Sequence, residues 1–532
     1  MSVAARARRW AVRVLALVCG SVLALAFPAA SAWWLGWFGL VPLLLLLARA
    51  RSNAEAAWRS GLAAAGFFFT LFHWLLPHLG VFALPAGVVI GAFWVPFGLA
   101  TRLLLRAPLS AARAGLAVVL LSSVWVSIEV VRSWTHLGGG WSLLGLSQWQ
   151  VRPVLAVASL GGVWLLSFLL VAVNVGLAAA ISPRAATAAR LLGGGLAVGL
   201  AALTFGYGLL RPEPAVTGTL RLAGVQPGVI DDGHERVEAH LELTHGLAGA
   251  GQDVVVWGQS SVPFDPAQRP EVVAALRQAA EIAGSDLLVN VDARGVDGRI
   301  TKSTHQYGPN GLIATYEKQR LVPFGEYVPL RPVFGWVVGH TKAAEVDRAT
   351  GEGLTTLRVS GRHIGPLVSY ESIFPDMRRG LVRLGADVTV VQGSLTTFHG
   401  TWAQPQQASF EAVRAAESGR SAVLVELSGT SAAFDARGTQ LAWVPSDERG
   451  IFLVDVPLYA EATPYVRWGD WLPSIAGVVT ATAIVALLGR ALLGRALLGR
   501  ALLGRALLGR ALLGRALLGR VLPARRRATR RR

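Results

Sequence analysis

At 532 residues, 53% of them hydrophobic, the chain allows several domains and is too apolar for an ordinary soluble protein. The formal charge of +18 does not indicate nucleic-acid binding: thirteen arginines and no acidic residue lie from Arg490 onward, which leaves +5 for the first 489 residues, and a cationic tail near anionic lipid headgroups accounts for the excess. The single cysteine, Cys19, lies in an apolar segment, so no disulfide forms within the chain and the later motifs have no thiol.

Apolar stretches long enough to span a bilayer are predicted at about 10–27, 33–49, 57–77, 82–105, 114–132, 156–182 and 190–210, with an eighth at about 471–489. The first resembles a signal peptide, with Arg6, Arg8 and Arg9 before an apolar core and Ala30-Ser31-Ala32 after it, but the next span follows at once and favours an uncleaved anchor. Arg49, Arg51 and Arg59, then Arg102, Arg106 and Arg113, then Arg184 and Arg190 fall in alternate loops, which the positive-inside rule assigns to the cytoplasm; Arg132 and Arg152 lie in an outer loop. This reading gives a membrane domain over 1–211, an extracytoplasmic domain over 212–468, a returning span over 469–489 and a cytoplasmic tail over 490–532.

Glu129 is costly within an apolar span and implies a pairing or functional role, with Arg132 available at i,i+3. Trp141 and Trp149 are expected as interfacial anchors. His73, His136 and His399 lack metal-ligand spacing, so no metal is expected.

In the 212–468 region acidic residues appear and short β-rich runs alternate with helical ones. TLRLAGVQ, DVVVWG, DLLVNVDA, GLIATYEK, GPLVSY, DVTVVQG, SAVLVELS and GIFLVDVP read as strands; about 233–248, 268–283, 374–384 and 403–418 read as helices. Continuous apolar strands suggest sheets covered on both faces, and the alternation suggests α/β, with antiparallel character after residue 421. Gln259, Lys318 and Ser369 each follow such a strand, where open α/β sheets gather functional groups. Beyond 485, ALLGR repeats seven times from Ala486 to Arg520; a five-residue period turns a helix by about 140° per repeat, so the arginines spiral and leave no apolar face.

The stretches VVVWGQSS, YEKQRLVPFGEYVPL and GPLVSYESIF resemble the three active-site motifs of the nitrilase superfamily. With LAFP near Phe27, IEVVRS, GGGWSLLGLSQWQ and ATPYVRWGD before the last span, the chain resembles the membrane-embedded bacterial apolipoprotein N-acyltransferases over nearly its whole length, tail excluded. The resemblance implies an α-β-β-α sandwich on a multi-span membrane domain in the bacterial cell membrane. It implies transfer of a fatty acyl chain from a phospholipid donor to the α-amine of a diacylglyceryl-cysteine lipoprotein acceptor through an acyl-enzyme, without cofactor, metal or nucleic acid.

In that family a Glu acts as base, a Lys stabilises the oxyanion and a Cys is the nucleophile; here Gln259, Lys318 and Ser369 stand at those positions. Ser369 can hold the acyl group as an ester but needs a base, and an amide such as Gln259 does not accept a proton at neutral pH. Loss of general-base catalysis costs about 10²–10⁴ in rate. Three groups are candidates to replace it: a neutral Lys318, Glu326 in PFGEY, and Glu371. The alternative for both glutamates is support of Lys318 and the loops. Gly258, Gly393 and Ser394 also depart from the family pattern. A catalytically degenerate paralogue that binds lipoprotein or phospholipid is the competing reading, and a small-substrate amidase a third.

Overall fold

The computed structural model describes residues 3–340 and 345–521, in two compact units that divide after Ala476. The first unit opens with α1 (Val3–Ala24), α2 (Leu35–Phe38), α3 (Val41–Ala48) and α4 (Asn53–Leu71). α1 and α4 touch backbone to backbone: a Cβ on Gly66 would fall 2.2 Å from the Leu17 carbonyl oxygen, so only glycine admits this approach. The expected span over 33–49 is instead the two short helices α2 and α3. The break between them is held by Asn174, whose Oδ1 accepts from Leu40 N at 2.9 Å and whose Nδ2 donates to Gly36 O at 2.8 Å. A broken helix in apolar surroundings needs such partners for its freed backbone groups.

α5 (Leu76–Leu79), α6 (Ala83–Phe93) and α7 (Val95–Leu105) form an interrupted stretch, followed by α8 (Ala111–Arg132), α9 (Arg152–Leu155), α10 (Ala158–Ile181) and α11 (Thr187–Leu210). Among the described residues, five segments are long and apolar enough to cross a membrane: His73–Leu105, Ala111–Arg132, Ala158–Ile181, Thr187–Leu210 and Trp471–Leu493. The anticipated Glu129–Arg132 pair is not made. Glu129 Oε1 accepts from Trp125 Nε1 and Leu144 N, while Arg132 reaches forward to Ser142.

Residues 216–459 build two six-stranded sheets. The first runs β12 (Gly450–Tyr459), β1 (Val216–Gln226), β2 (Val254–Trp257), β3 (Asp286–Arg294), β4 (Ile300–Gly308), β5 (Gly311–Glu317). The second runs β11 (Gln440–Val444), β10 (Ser431–Phe434), β9 (Ser421–Glu426), β8 (Val388–Gly393), β7 (Arg362–Val368), β6 (Leu357–Val359). Each has a parallel centre, β1-β2-β3 and β7-β8-β9, with antiparallel flanks. Alternation sorts the side chains. Val254 and Val256 face Ile364, Val390 and Val425 between the sheets, whereas Val255 and Trp257 face outward. There α12 (Gly233–His245) and α13 (Pro270–Ala283) cover the first sheet. α14 (Arg331–Phe334) is a single turn in the loop after β5. α15 (Pro375–Arg383) and α16 (Ala403–Ser418) cover the second sheet, completing the α-β-β-α sandwich.

All eight predicted strands and all four predicted helices are present. The antiparallel character expected after residue 421 is the β9-β10 hairpin, and the reading missed β4, β6 and β11 as strands.

α16 buries fifteen of its sixteen residues, because its far side packs on the apolar helices. Gln406 is the polar centre of that contact. Its Nε2 donates to Pro28 O (2.9 Å) and Leu71 O (3.1 Å), and its Oε1 accepts from the indole N–H of Trp141 and Trp74. Trp141 is therefore a docking residue rather than a free interfacial anchor, and Trp149 stacks on Trp443 at 5.3 Å. The helix α17 (Pro464–Trp468) carries the ATPYVRWGD signature, whose Asp470 takes Arg379 Nη1, Tyr465 OH and Trp164 Nε1.

α10 is broken at Gly161 (φ −147°) and Gly162 (φ +66°). The Val163 amide freed by the break donates to Glu417 Oε1 of α16 at 2.6 Å, so a carboxylate from the sandwich caps a new helix start. A Cβ on Gly162 would meet the Tyr465 ring at 2.6 Å. Gly162→Ala is therefore expected to cost about 1–3 kcal/mol through φ strain and overpacking. An apparent Tm in detergent lower by several degrees is the expected result; an unchanged Tm contradicts it.

The last helix, α18 (Trp471–Val521), continues through the expected boundary at 489 and includes the ALLGR repeats. At 1.5 Å per residue its 51 residues extend about 76 Å, well beyond a hydrocarbon core of about 30 Å.

Candidate active site

The carboxyl ends of β2, β5 and β7 carry Gln259, Lys318 and Ser369, and all three side chains are buried or nearly so. Gly258 lets the two sheets meet here: a Cβ would lie 2.2 Å from Leu427 N. Gln259 N donates to Gly393 O at 2.9 Å, as does Leu427 N, which stitches β2 to the ends of β8 and β9. The Gln259 side-chain Oε1 has no hydrogen-bond partner.

Lys318 follows β5, its N donating to Lys302 O at 2.9 Å. Its Nζ lies 2.9 and 2.8 Å from the two Glu326 oxygens, and its side chain has no solvent exposure. Val322 N also donates to Glu326 Oε2 at 2.9 Å. Burial pushes the Glu326 carboxyl up, but Lys318 and then Lys302 outweigh it and the net shift is downward. The pairing engages Lys318 Nζ with both Glu326 oxygens, so neither side chain is arranged as a free base.

Ser369 has φ +48°, rare for a residue with a Cβ, and opens a short 3-10 turn over Ser369–Ile373. The turn is held by Glu371. Its carboxylate accepts from Tyr316 OH at 2.9 and 3.0 Å, and from Gln319 N (2.6 Å), Arg320 N (3.1 Å) and Val368 N (2.7 Å). Burial raises its pKa, opposed in part by Lys318 and the three amides. Glu371 thus fastens the Lys318 loop to the Ser369 loop, and its lone pairs are committed.

Three buried groups at this end of the sandwich escaped the sequence reading. Lys302 on β4 donates to Asp292 at 2.6 and 2.8 Å and to Ser260 Oγ, beneath the Gln259 loop. Gln392 spans the sheets, its Nε2 donating to Trp257 O (2.8 Å) and Leu288 O (3.1 Å). Glu426, the last residue of β9, is fully enclosed, and burial, only partly opposed by the Leu395 amide, pushes its carboxyl up to about 8. A lone acid inside SAVLVELS was the available signal.

Glu426 is neutral in the fold between its unfolded value of about 4.3 and about 8, while the unfolded chain is ionised. Its contribution to stability is therefore full below about pH 4 and is lost as pH rises through about 8. Glu426→Gln is expected to match the parent near pH 5 and exceed it near pH 9 by an amount on the order of 4 kcal/mol, read as apparent Tm at the two pH values. Equal Tm values at about pH 9 contradict this.

His73 makes an edge contact with Trp402, His136 Nδ1 lies 2.7 Å from Tyr327 OH, and His399 Nδ1 lies 3.3 Å from Ser428 O. The structure does not bring the three together. On the loop between β5 and β6, which also carries Lys318 and Glu326, Phe324, Leu330, Val333 and Phe334 are solvent-exposed apolar side chains.

Residues 19–176 match the apolipoprotein N-acyltransferase N-terminal domain, and residues 221–465 match the carbon-nitrogen hydrolase family. The apolipoprotein N-acyltransferase of Gloeobacter violaceus is 30% identical, over 91% of this chain and 95% of its own length. Those of Pseudomonas aeruginosa and Azotobacter vinelandii are 29% and 30% identical over 90% of this chain and 96% of theirs. An amidase from Nesterenkonia sp. AN1 aligns with 45% of this chain and 93% of its own at 20% identity and a TM-score of 0.34. With relatives of that name at 30% identity over about nine-tenths of its length and more than nine-tenths of theirs, the chain belongs to the apolipoprotein N-acyltransferase family.

Proposed function

We propose that this protein transfers a fatty acyl chain from a membrane phospholipid to the α-amine of a diacylglyceryl-cysteine at the start of a lipoprotein, through an ester on Ser369. The observation that carries the reading is the convergence of Ser369, Lys318 and Gln259 at one end of a sandwich built directly onto apolar helices. In this reading residues 1–211 and 469–489 span the cell membrane, residues 212–468 lie outside the cytoplasm, and 490–532 return to it, an orientation supported by the arginine distribution. Both substrates are lipid-anchored, and a membrane platform beneath the site holds the reacting groups close.

The residues divide the work. Ser369 Oγ attacks the phospholipid ester carbonyl from a strained turn that projects it off the strand end. The Lys318 ammonium stabilises the oxyanion, and Glu326 fixes its position. Gln259 holds its amide at the site as a neutral hydrogen-bonding group, while Glu371 supports the two loops. The exposed Phe324, Leu330, Val333 and Phe334 provide an apolar path for the acyl chain.

The test supplies phospholipid and a diacylglyceryl-cysteine peptide to purified protein in detergent and follows N-acylation by mass spectrometry. N-acylated peptide is the expected product. The unpartnered amide at Gln259 favours the second reading, a lipoprotein-binding paralogue without turnover. That reading predicts no product from the parent and recovered product in Gln259→Glu with Ser369→Cys.

A further inference from the structure

The base that Ser369 requires is absent from position 259, and the carboxylates of Glu326 and Glu371 are committed to other partners. Asp292, at the same end of the sandwich, is paired with Lys302, which leaves one further carboxylate there. The parallel register pairs Val368 with Gln392 and Gly393 with Glu426, so Ser369, Gly393 and Glu426 end three adjacent strands. Leu367, Val391 and Leu424, two residues earlier on each strand, share one core cluster on the α16 side. By strand alternation, Glu426 emerges on that same side.

Its carboxylate leans over β8. A Cβ on Gly393 would lie 2.0 Å from Glu426 Oε1, and one on Gly429 2.6 Å from Oε2, so the carboxyl group is seated between two glycines. Oε2 accepts from Leu395 N at 3.1 Å. Oε1, the oxygen over Gly393 and therefore on the side of the strand that ends in Ser369, is buried without a hydrogen-bond partner. Neighbouring strands lie about 4.8 Å apart, so Ser369 ends the strand next to the one over which this oxygen sits, a gap that one bridging water or a rotation of the Ser369 side chain closes. An unpaired buried carboxyl oxygen is costly for the fold and is accounted for if a proton donor visits it during turnover.

We propose that Glu426 is the general base for Ser369, occupying the space that Gly393 leaves open and replacing the carboxylate missing at position 259. The inference rests on the acyltransferase reading given above. In the first half-reaction Glu426 takes the Ser369 hydroxyl proton as Oγ bonds to the phospholipid acyl carbon. The ester C–O bond then breaks, and the lysophospholipid oxygen leaves with that proton. In the second, the α-amine of the acceptor bonds to the acyl carbon and gives a proton to Glu426. The C–Oγ bond breaks, and Ser369 recovers the proton.

The charged groups around Glu426 do not supply an alternative. β2, β8 and β10 carry no titratable residue, and the side chains of Glu411, Arg414 and Glu417 on α16 pair with Arg378 or each other. His399 contacts Ser428 O, and Lys318, Glu326 and Glu371 are fixed as described. Because burial holds Glu426 up to about 8, its base form grows in over neutral to mildly alkaline pH.

The experiment measures the rate of Ser369 acylation by phospholipid in the full-length protein from about pH 6 to about pH 10, by mass spectrometry of the Ser369 peptide. The parent is expected to show a rising limb centred near pH 8. Glu426→Gln is expected to lose the limb and about 10²–10³ in rate at pH 8, with its fold at pH 6 intact. Gly393→Ala, which displaces the carboxylate without removing it, is expected to lower the rate in the same direction. Adding Gln259→Glu to Glu426→Gln is expected to restore acylation with a limb at lower pH, as the carboxylate returns to the position of the family's base. A Glu426→Gln variant that acylates within about twofold of the parent and keeps the limb overturns the role of Glu426 and leaves the acyltransferase reading standing. A parent that forms no acyl-serine at any pH overturns that reading, and this role with it.

Discussion

Ser369→Ala is expected to eliminate N-acyl transfer, by a factor on the order of 10⁶ as for other serine nucleophiles, while leaving the fold intact. The side chain is small, has no hydrogen bond to defend, and sits at φ +48°, a conformation that alanine tolerates no worse than serine. Its loss should therefore be visible in the assay and invisible in the apparent Tm. Ser369→Cys is the informative companion. A thiol at neutral pH is partly ionised and depends less on a base, so acyl-enzyme formation should persist even in combination with Glu426→Gln. Measurement of both half-reactions in Ser369→Ala, Ser369→Cys and the double variant checks this. Transfer surviving in Ser369→Ala would remove the covalent route altogether.

Lys318→Met has the second-largest expected effect, and it acts on two quantities at once. The ammonium is fully buried, and removing it leaves Glu326 as a buried carboxylate without its partner. Breaking one side of such a pair costs about 3–5 kcal/mol of stability. Removing a preorganised oxyanion donor costs about 10²–10³ in rate. The two are separable. Lys318→Met with Glu326→Gln eliminates the stranded charge and should recover most of the stability, yet none of the rate. A double variant that regains both would make Lys318 a purely structural residue; one that regains neither would show that the pair is needed to hold the loops.

Much of this molecule was legible because its strands and outer helices follow simple periods. Val254 to Trp257 is apolar on both faces because both faces are covered, and α12, α13, α15 and α16 fall within a few residues of their predicted limits. β4 was missed for a physical reason. Its buried positions Lys302, Ser303, Thr304 and Gln306 are polar, since they bond between sheets and to Asp292, and a polar strand has no hydrophobic period. The break in α10 was hidden likewise: glycines are common in apolar helices, and the carboxylate that caps this one lies 254 residues away. Of the site, the three loop positions could be found from motifs. Glu426 could not, because its relevance comes from strand register and from the space above Gly393, neither of which is local in sequence.

The Glu417 contact to Val163 also sets an order on biosynthesis. A ribosome adding roughly 5–20 residues per second needs roughly 13–50 s to travel from Val163 to Glu417. Throughout that interval the leading amide of the second half of α10 lacks this partner. Only once the sandwich has folded can α16 deliver its carboxylate to the waiting helix. The apolar half of this protein is thus completed last, by a residue made long after it.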